Sequence, residues 1–278
     1  MVLPGASCRC HLVFMSPTSR WRRRVWVQGR SSRRSRLERF RVRLADGART
    51  TLHVASYDRR AFDARVVMLE RAAPLVRWCE VHRVRDAVVG GFFSRSQSLP
   101  LGQVQVDGVT QPSLAVEPPW GDVRACVHIA DGIVRIARRD QLGAALGGDL
   151  LQAGPLLVAG GRCVVADGED GEGFSAAAHQ FDSDITVGRY PRAALGVAGE
   201  RLLTVACDGR THDDVGMTLP ELAIALARLG VTDALNLDGG GSASLVYSGR
   251  LRNRPREQHG ADLLTGRPIV TAIVLDAR

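Results

Sequence analysis

The sequence predicts an α+β protein dominated by strands, and three observations carry that prediction. Short apolar runs recur along most of the 278 residues, each bounded by Gly, Asp or Pro. Only two segments show clear helical spacing. One strand–helix–strand unit, between Leu202 and Leu237, stands out near the C-terminal end. An apolar content of 45% supplies ample core for one large domain or two small ones.

Taken in order, the strand-like runs are 40–44, 50–55, 64–69, 87–89, 104–106, 125–129 and 133–137. Asp131-Gly132 joins the last two as a hairpin, because this dipeptide accepts the positive φ that tight hairpin turns require. The series continues through 155–158, 163–166, 193–197, 202–207, 234–237, 244–247 and 269–275. One helix is predicted over Pro74–His82, where Leu75, Trp78, Cys79 and His82 fall on one face. The second, Thr218–Leu229, has Thr218 and Glu221 in capping-box spacing, Pro220 in its first turn and Gly230 as its stop. The acidic, Gly-rich stretch Asp167–Asp184 lacks apolar periodicity and reads as a lid over a site, running into Arg189 and Arg192.

Charge divides the chain in two. All 37 basic residues are Arg, and the net charge is +8. Twelve of these Arg lie in residues 1–43 beside a single acid, Glu38, which leaves residues 44–278 with a net charge of −3. Residues 1–36 therefore read as a basic, disordered leader and residues 37–278 as the folded domain. The body offers no interleaved basic and aromatic surface, so no specific nucleic-acid partner is expected. No run of about 18 apolar residues occurs, so neither a membrane-spanning helix nor a membrane partner is expected. Leu12–Met15 is too short for a secretory apolar region and precedes the Arg cluster. The six Cys form no CxxC pair and sit singly, mostly in apolar runs, where they serve as small buried hydrophobes. Reduced thiols without a secretory signal point to the cytoplasm.

The chemistry concentrates at Asn236-Leu237-Asp238-Gly239-Gly240-Gly241-Ser242. Three consecutive glycines weaken any regular element, and they suit backbone that turns sharply or lies against a ligand. A right-handed crossover from 202–207 through the helix to 234–237 makes the two strands parallel in one sheet. Asp208 and Asp238 then follow the C-terminal ends of those strands and share a crevice with Arg210 and the glycine loop. Paired carboxylates in one cleft suit glycosyl transfer to water. Arg192, Arg210 and the glycine-lined backbone suit an anion. No Gly-Lys-Ser/Thr follows the glycines, which excludes a Walker-type nucleotide loop.

Several motifs in the same order resemble the phosphodiester glycosidase family, the N-acetylglucosamine-1-phosphodiester alpha-N-acetylglucosaminidase-like proteins. They are Gly90-Gly91-Phe92-Phe93, Gly154-Pro155-Leu156-Leu157-Val158, Arg192–Gly196, Asp208-Gly209-Arg210, Gly216–Leu219 and Ala234–Ser242, and the resemblance spans residues 74–278. It implies a compact single α+β domain around an extensive mixed, largely antiparallel sheet with a few flanking helices. It also implies hydrolysis of a sugar–phosphate diester to the free sugar and a phosphomonoester. Asp208 and Asp238 are then the candidate catalytic pair, and Arg192 and Arg210 the phosphate holders. Gly90, Gly91, Gly239, Gly240 and Gly241 would shape the pocket, Asn236 and Ser242 would fix the loop or bind sugar hydroxyls, and His179 is a candidate proton carrier. Val89 stands where the family has Asn. The alternative from another class is a non-catalytic glycan or sugar-phosphate binding protein of the same fold. No cofactor is expected. Carboxylates without a His-rich ligand set could hold only a hard cation such as Mg²⁺ or Ca²⁺.

Overall fold

The structure, a computed structural model, describes residues 13–15, 34–144, 146–166, 168–175 and 185–278. The first half contains strands β1 (Val13–Met15), β2 (Ser35–Arg43), β3 (Arg49–Asp58), β4 (Phe62–Pro74) and β5 (Ala87–Val89). There follow β6 (Phe93–Ser94), β7 (Leu99–Pro100), β8 (Val104–Val106), β9 (Val109–Thr110), β10 (Ala125–Ala130) and β11 (Ile133–Arg138). The second half supplies β12 (Asp149–Gln152), β13 (Leu156–Ala159), β14 (Arg162–Cys163), β15 (Arg192–Ala198) and β16 (Arg201–Cys207). It closes with β17 (Asp233–Leu237), β18 (Leu245–Tyr247), β19 (Arg250–Leu251) and β20 (Pro268–Ala277). The helices are α1 (Leu75–Val81), α2 (Trp120–Val123) and α3 (Leu219–Arg228).

These strands form one eight-stranded sheet, ordered β1-β2-β3-β16-β15-β17-β13-β14, two five-stranded sheets and a two-stranded ribbon. Alternation along the strands of the large sheet feeds two cores. Ala193, Leu195, Leu235 and Leu237 point to one face, where they join β4, β5, β10 and β20 in the larger core. Ala194, Leu203, Val205 and Ala234 point to the other face, against Leu222, Ala225, Leu226 and Leu229 of the α3 segment. The result is three layers, with α3 on one side of the large sheet and both smaller sheets on the other.

The two predicted helices form as read. The Thr218 hydroxyl accepts from the Glu221 N–H at 3.2 Å while the Glu221 carboxylate accepts from the Thr218 N–H at 2.9 Å, closing the capping box. Gly230, with φ +80°, ends the last turn. Asp131 and Gly132 both take positive φ, and β10 pairs with β11 as predicted. Of the run 163–166, only Cys163 lies in a strand, β14. The strand β12 escapes sequence reading because only two of its four residues, Leu150 and Leu151, are apolar.

One expectation changes. The sheet is not mixed: among the described residues every paired ladder is antiparallel, and one isolated bridge, Leu101 to Leu114, is parallel. The strands β16 and β17 are not neighbours, because β15 has already paired with β16 as a hairpin. After α3 the chain therefore adds β17 to the other edge of β15. The two strands still run the same way and end at the same sheet edge. Val13–Met15 pairs with Arg41–Arg43 at the sheet edge, and β2 begins at Ser35. The rest of residues 1–33 lies outside the described residues.

Just beyond β5, which pairs antiparallel with β20, the chain lies against β20 at very short range. Gly90 N–H donates to Thr271 O at 2.8 Å, and Gly91 N–H donates to the Thr271 hydroxyl at 3.1 Å. A Cβ on Gly90 would lie 2.4 Å from Thr271 Oγ1 and 2.7 Å from its carbonyl carbon. Gly90→Ala is therefore expected to lower stability by about 1–3 kcal/mol, the usual range for overpacking. Thermal or urea unfolding of the purified variant checks this, and an unchanged midpoint contradicts it.

Candidate active site

Five chain segments meet at the edge where β16 and β17 end. Arg192 opens β15 opposite Cys207, and Ala193 lies opposite both Ala206 and Leu237. Asp208 and Asp238 thus emerge on either side of β15, two strand spacings or about 10 Å apart along the sheet. Gly90 follows the end of β5. The segment 254–267 closes the group, tied back through Arg210 Nη1, which donates to Arg256 O at 2.7 Å.

Glycine lets these segments touch. Asp238 N–H donates to Gly90 O at 2.9 Å and Gly240 N–H to Pro191 O at 2.8 Å. A Cβ on Gly239 would lie 2.9 Å from Pro191 O, and Gly240 needs its φ of +59°. Behind them Asn236 is buried, donating to Gly154 O at 2.9 Å and Leu237 O at 3.0 Å. Its Oδ1 has no hydrogen-bond partner among the described residues.

A cavity of about 770 Å³ opens in front of this junction. Its acids are Asp238, Glu117 and Glu257, and its cations are Arg95, Arg192, Arg210 and Arg267. The Asp238 carboxyl is displaced upward. Burial pushes it up to about 6, against the opposing pull of the Ser242 hydroxyl, Arg267, the Gly239 N–H and Arg95. It is enclosed by protein yet keeps an opening to the cavity, and its Oδ1 accepts from Gly239 N–H at 2.8 Å. Glu257 behaves oppositely: Arg267, bound at 2.9 and 2.5 Å, holds its carboxyl below the ordinary range. Tyr190 lies close to two guanidinium groups, with Arg192 Cζ 5.2 Å and Arg210 Cζ 5.9 Å from its ring centre. Arg192 is anchored further by donating to Met217 O and Gly188 O. Arg210 adopts φ +64°, a left-handed conformation that a non-glycine residue takes only where its surroundings hold it there. Burial lowers its pKa.

The structure brings Asp238, Arg192, Arg210, Gly239 and Gly240 to one cavity. Gly90, Gly91, Gly241, Asn236 and Ser242 stand behind that wall and shape it from within. Asp208 is the main correction. Its carboxylate does not line the cavity; it is buried, accepting from Arg254 N–H at 2.6 Å and lying 3.0 Å from His53 Nε2. The two carboxylates therefore do not face one substrate position. Val89 is fully buried in the larger core, so the position where the family has Asn does not reach the cavity. The acidic stretch is no lid over its described part. Glu172 is buried and accepts from Ala125 and Leu156 N–H at 2.8 and 2.9 Å, and Phe174 packs 5.6 Å from Phe92. His179 lies outside the described residues. Arg189 turns away, to Asp46 and Glu221.

Sequence reading missed Glu257, Arg267, Arg95, Glu117 and Tyr190. The Phe92-Phe93 pair and the approach to Arg192 were the available signals. The others come from irregular loops with no periodic pattern. Among the described residues, no group of three or more His, Cys, Asp or Glu side chains is placed to hold a metal ion. The free thiols Cys79, Cys126 and Cys207 are buried, and burial raises the pKa of each.

Comparison with known proteins bears on the fold and the family. No curated protein matches the chain. Zebrafish N-acetylglucosamine-1-phosphodiester alpha-N-acetylglucosaminidase, solved as a catalytic domain auto-inhibited by its pro-peptide, superposes with a TM-score of 0.66. It is 19% identical, over 90% of this chain and 86% of that one. A hypothetical protein from Synechocystis superposes with a TM-score of 0.58 at 21% identity over 86% of this chain, which spans 62% of that protein's length. At such identities these likenesses concern the fold. The sequence model of phosphodiester glycosidases matches residues 82–275, most of the chain. The protein belongs to the phosphodiester glycosidase family.

Proposed function

We propose that the protein hydrolyses the glycosidic bond of a sugar–phosphate diester, with Asp238 as the reacting carboxylate. The observation that carries this reading is one carboxyl, raised to about 6, in a cavity that also presents four Arg. Water attacks the anomeric carbon and gives its proton to Asp238. The bond from that carbon to the phosphate oxygen breaks, and its electron pair leaves with the phosphomonoester. Arg192 and Arg210 stabilise that anion, so no second carboxyl is needed to protonate the leaving group. This accommodates the withdrawal of Asp208 from the cavity. The same cavity without turnover would make the protein a sugar-phosphate binding module.

The test is a panel of sugar-1-phosphodiesters, with UDP-sugars beside them, assayed for free sugar and for the phosphomonoester, or UDP, that leaves. Wild type is expected to release both, and Asp238→Asn to lose about 10²–10⁴-fold in rate, the usual contribution of a positioned base. Binding without release across the panel would favour the binding module. Because the base must be ionised, kcat/KM is expected to rise with pH through about 6 and then level. A profile flat from pH 4.5 to 8 contradicts that role.

Asp238 also sets a stability signature. Its folded pKa lies above its unfolded value, so the folded protein holds the extra proton between about pH 4 and 6 and loses stability as pH rises through that window. Asp238→Asn is expected to be more stable than wild type at pH 7, by roughly 1–3 kcal/mol, with the advantage vanishing below pH 4. Urea unfolding at pH 4 and pH 7 measures it, and a variant weaker at pH 7 refutes it.

A further inference from the structure

Asp208 opens the motif Asp208-Gly209-Arg210, and its side chain has a defined occupation away from the cavity. One carboxylate oxygen accepts from Arg254 N–H at 2.6 Å; the other lies 3.0 Å from His53 Nε2. Both side chains are buried, at 2% and 5% exposure, so neither is positioned to meet a solute. His53 comes from β3, opposite Ala206, and precedes residue 82, where the family match begins. Further bonds join the same two segments. Arg256 Nη1 donates to Gly209 O at 3.3 Å and Arg210 Nη1 to Arg256 O at 2.7 Å. Gly260 passes so near that a Cβ there would lie 2.8 Å from Arg210 O. The clipped segment carries Glu257, which holds Arg267 at the cavity.

We infer that Asp208 is a positioning residue: with His53 it clips the 254–260 segment to the 208–210 turn, and so places Arg210 and Arg267 for an anion. The inference rests on reading the cavity as an anion site, and it assigns the N-terminal hairpin β2–β3 a part in substrate affinity. The carboxylate takes no proton from a reactant. Its removal leaves Asp238 in place and loosens the cationic side of the cavity.

Calorimetric titration of the full chain with inorganic phosphate tests this without requiring turnover. Asp208→Asn and His53→Phe are each expected to weaken phosphate binding about tenfold, the scale of one lost buried hydrogen bond. The double variant should be no weaker than the worse single one, since both act through one contact. His53→Gln, which keeps a donor, should stay near wild type. If Asp208→Asn does not fold, the two His53 variants carry the test. With a substrate that turns over, KM should rise in parallel while the pH midpoint of kcat stays in place. Unchanged phosphate affinity in the folded variants overturns the inference. So does a loss of kcat matching Asp238→Asn at constant KM, which would make Asp208 catalytic. Wild type that binds phosphate but hydrolyses nothing would remove the hydrolase reading and leave the clip standing. Wild type that binds no phosphate would remove the clip.

Discussion

The close approach of three strand ends, permitted only where side chains are missing, is the constraint on which this molecule depends. The end of β5 lies on Thr271, the end of β17 lies on Gly90, and the loop beyond β17 lies on Pro191. Backbone N–H groups at 90, 238 and 240 are satisfied across these contacts, each at 2.8 or 2.9 Å. A methyl group at 90 or 239 would fall within 3 Å of a neighbouring atom. Satisfying buried backbone groups this way fixes the positions of Asp238 and Arg192 relative to each other without help from either side chain. The glycines thus act as structure first and as cavity wall second.

On that frame the charges are arranged in tension. Residues 44–278 are acidic overall, yet the cavity gathers Arg95, Arg192, Arg210 and Arg267 around three acids. Arg267 is neutralised in part by Glu257, and Tyr190 steadies Arg192 and Arg210 without offering a counter-charge. Asp238 remains costly to ionise because the same close packing that places it also strips it of water. The fold is strained electrostatically where the proposed chemistry needs a proton acceptor near neutrality.

The two aspartates show how one pattern can hide two roles. Both follow the C-terminal end of a strand, both precede glycine, and the strands run the same way. Their side chains nevertheless diverge. Asp238 opens on the cavity, whereas Asp208 turns inward to the N-terminal hairpin and the 254–260 segment. In the acidic stretch after Asp167, Glu172 serves as a buried acceptor for two strand N–H groups, not as part of a cover.

Periodicity and punctuation determined most of the strands, the α3 helix with its capping box, the hairpin at Asp131-Gly132 and the shared edge of Asp208 and Asp238. These are local properties, set by the alternation of side chains and by the φ values that glycine and aspartate accept. The motifs around Gly90, Arg192 and Asp238, spread over two sheets, meet at the cavity. Tertiary structure alone decided that β15 separates β16 from β17, because a hairpin formed earlier in the chain had already taken the near edge. It also decided where carboxylates point and which distant loop brings Glu257 and Arg267 to the cavity. Those outcomes depend on hydrogen bonds between residues far apart in sequence, such as Asp208 with His53 and Arg254, which no periodic pattern encodes.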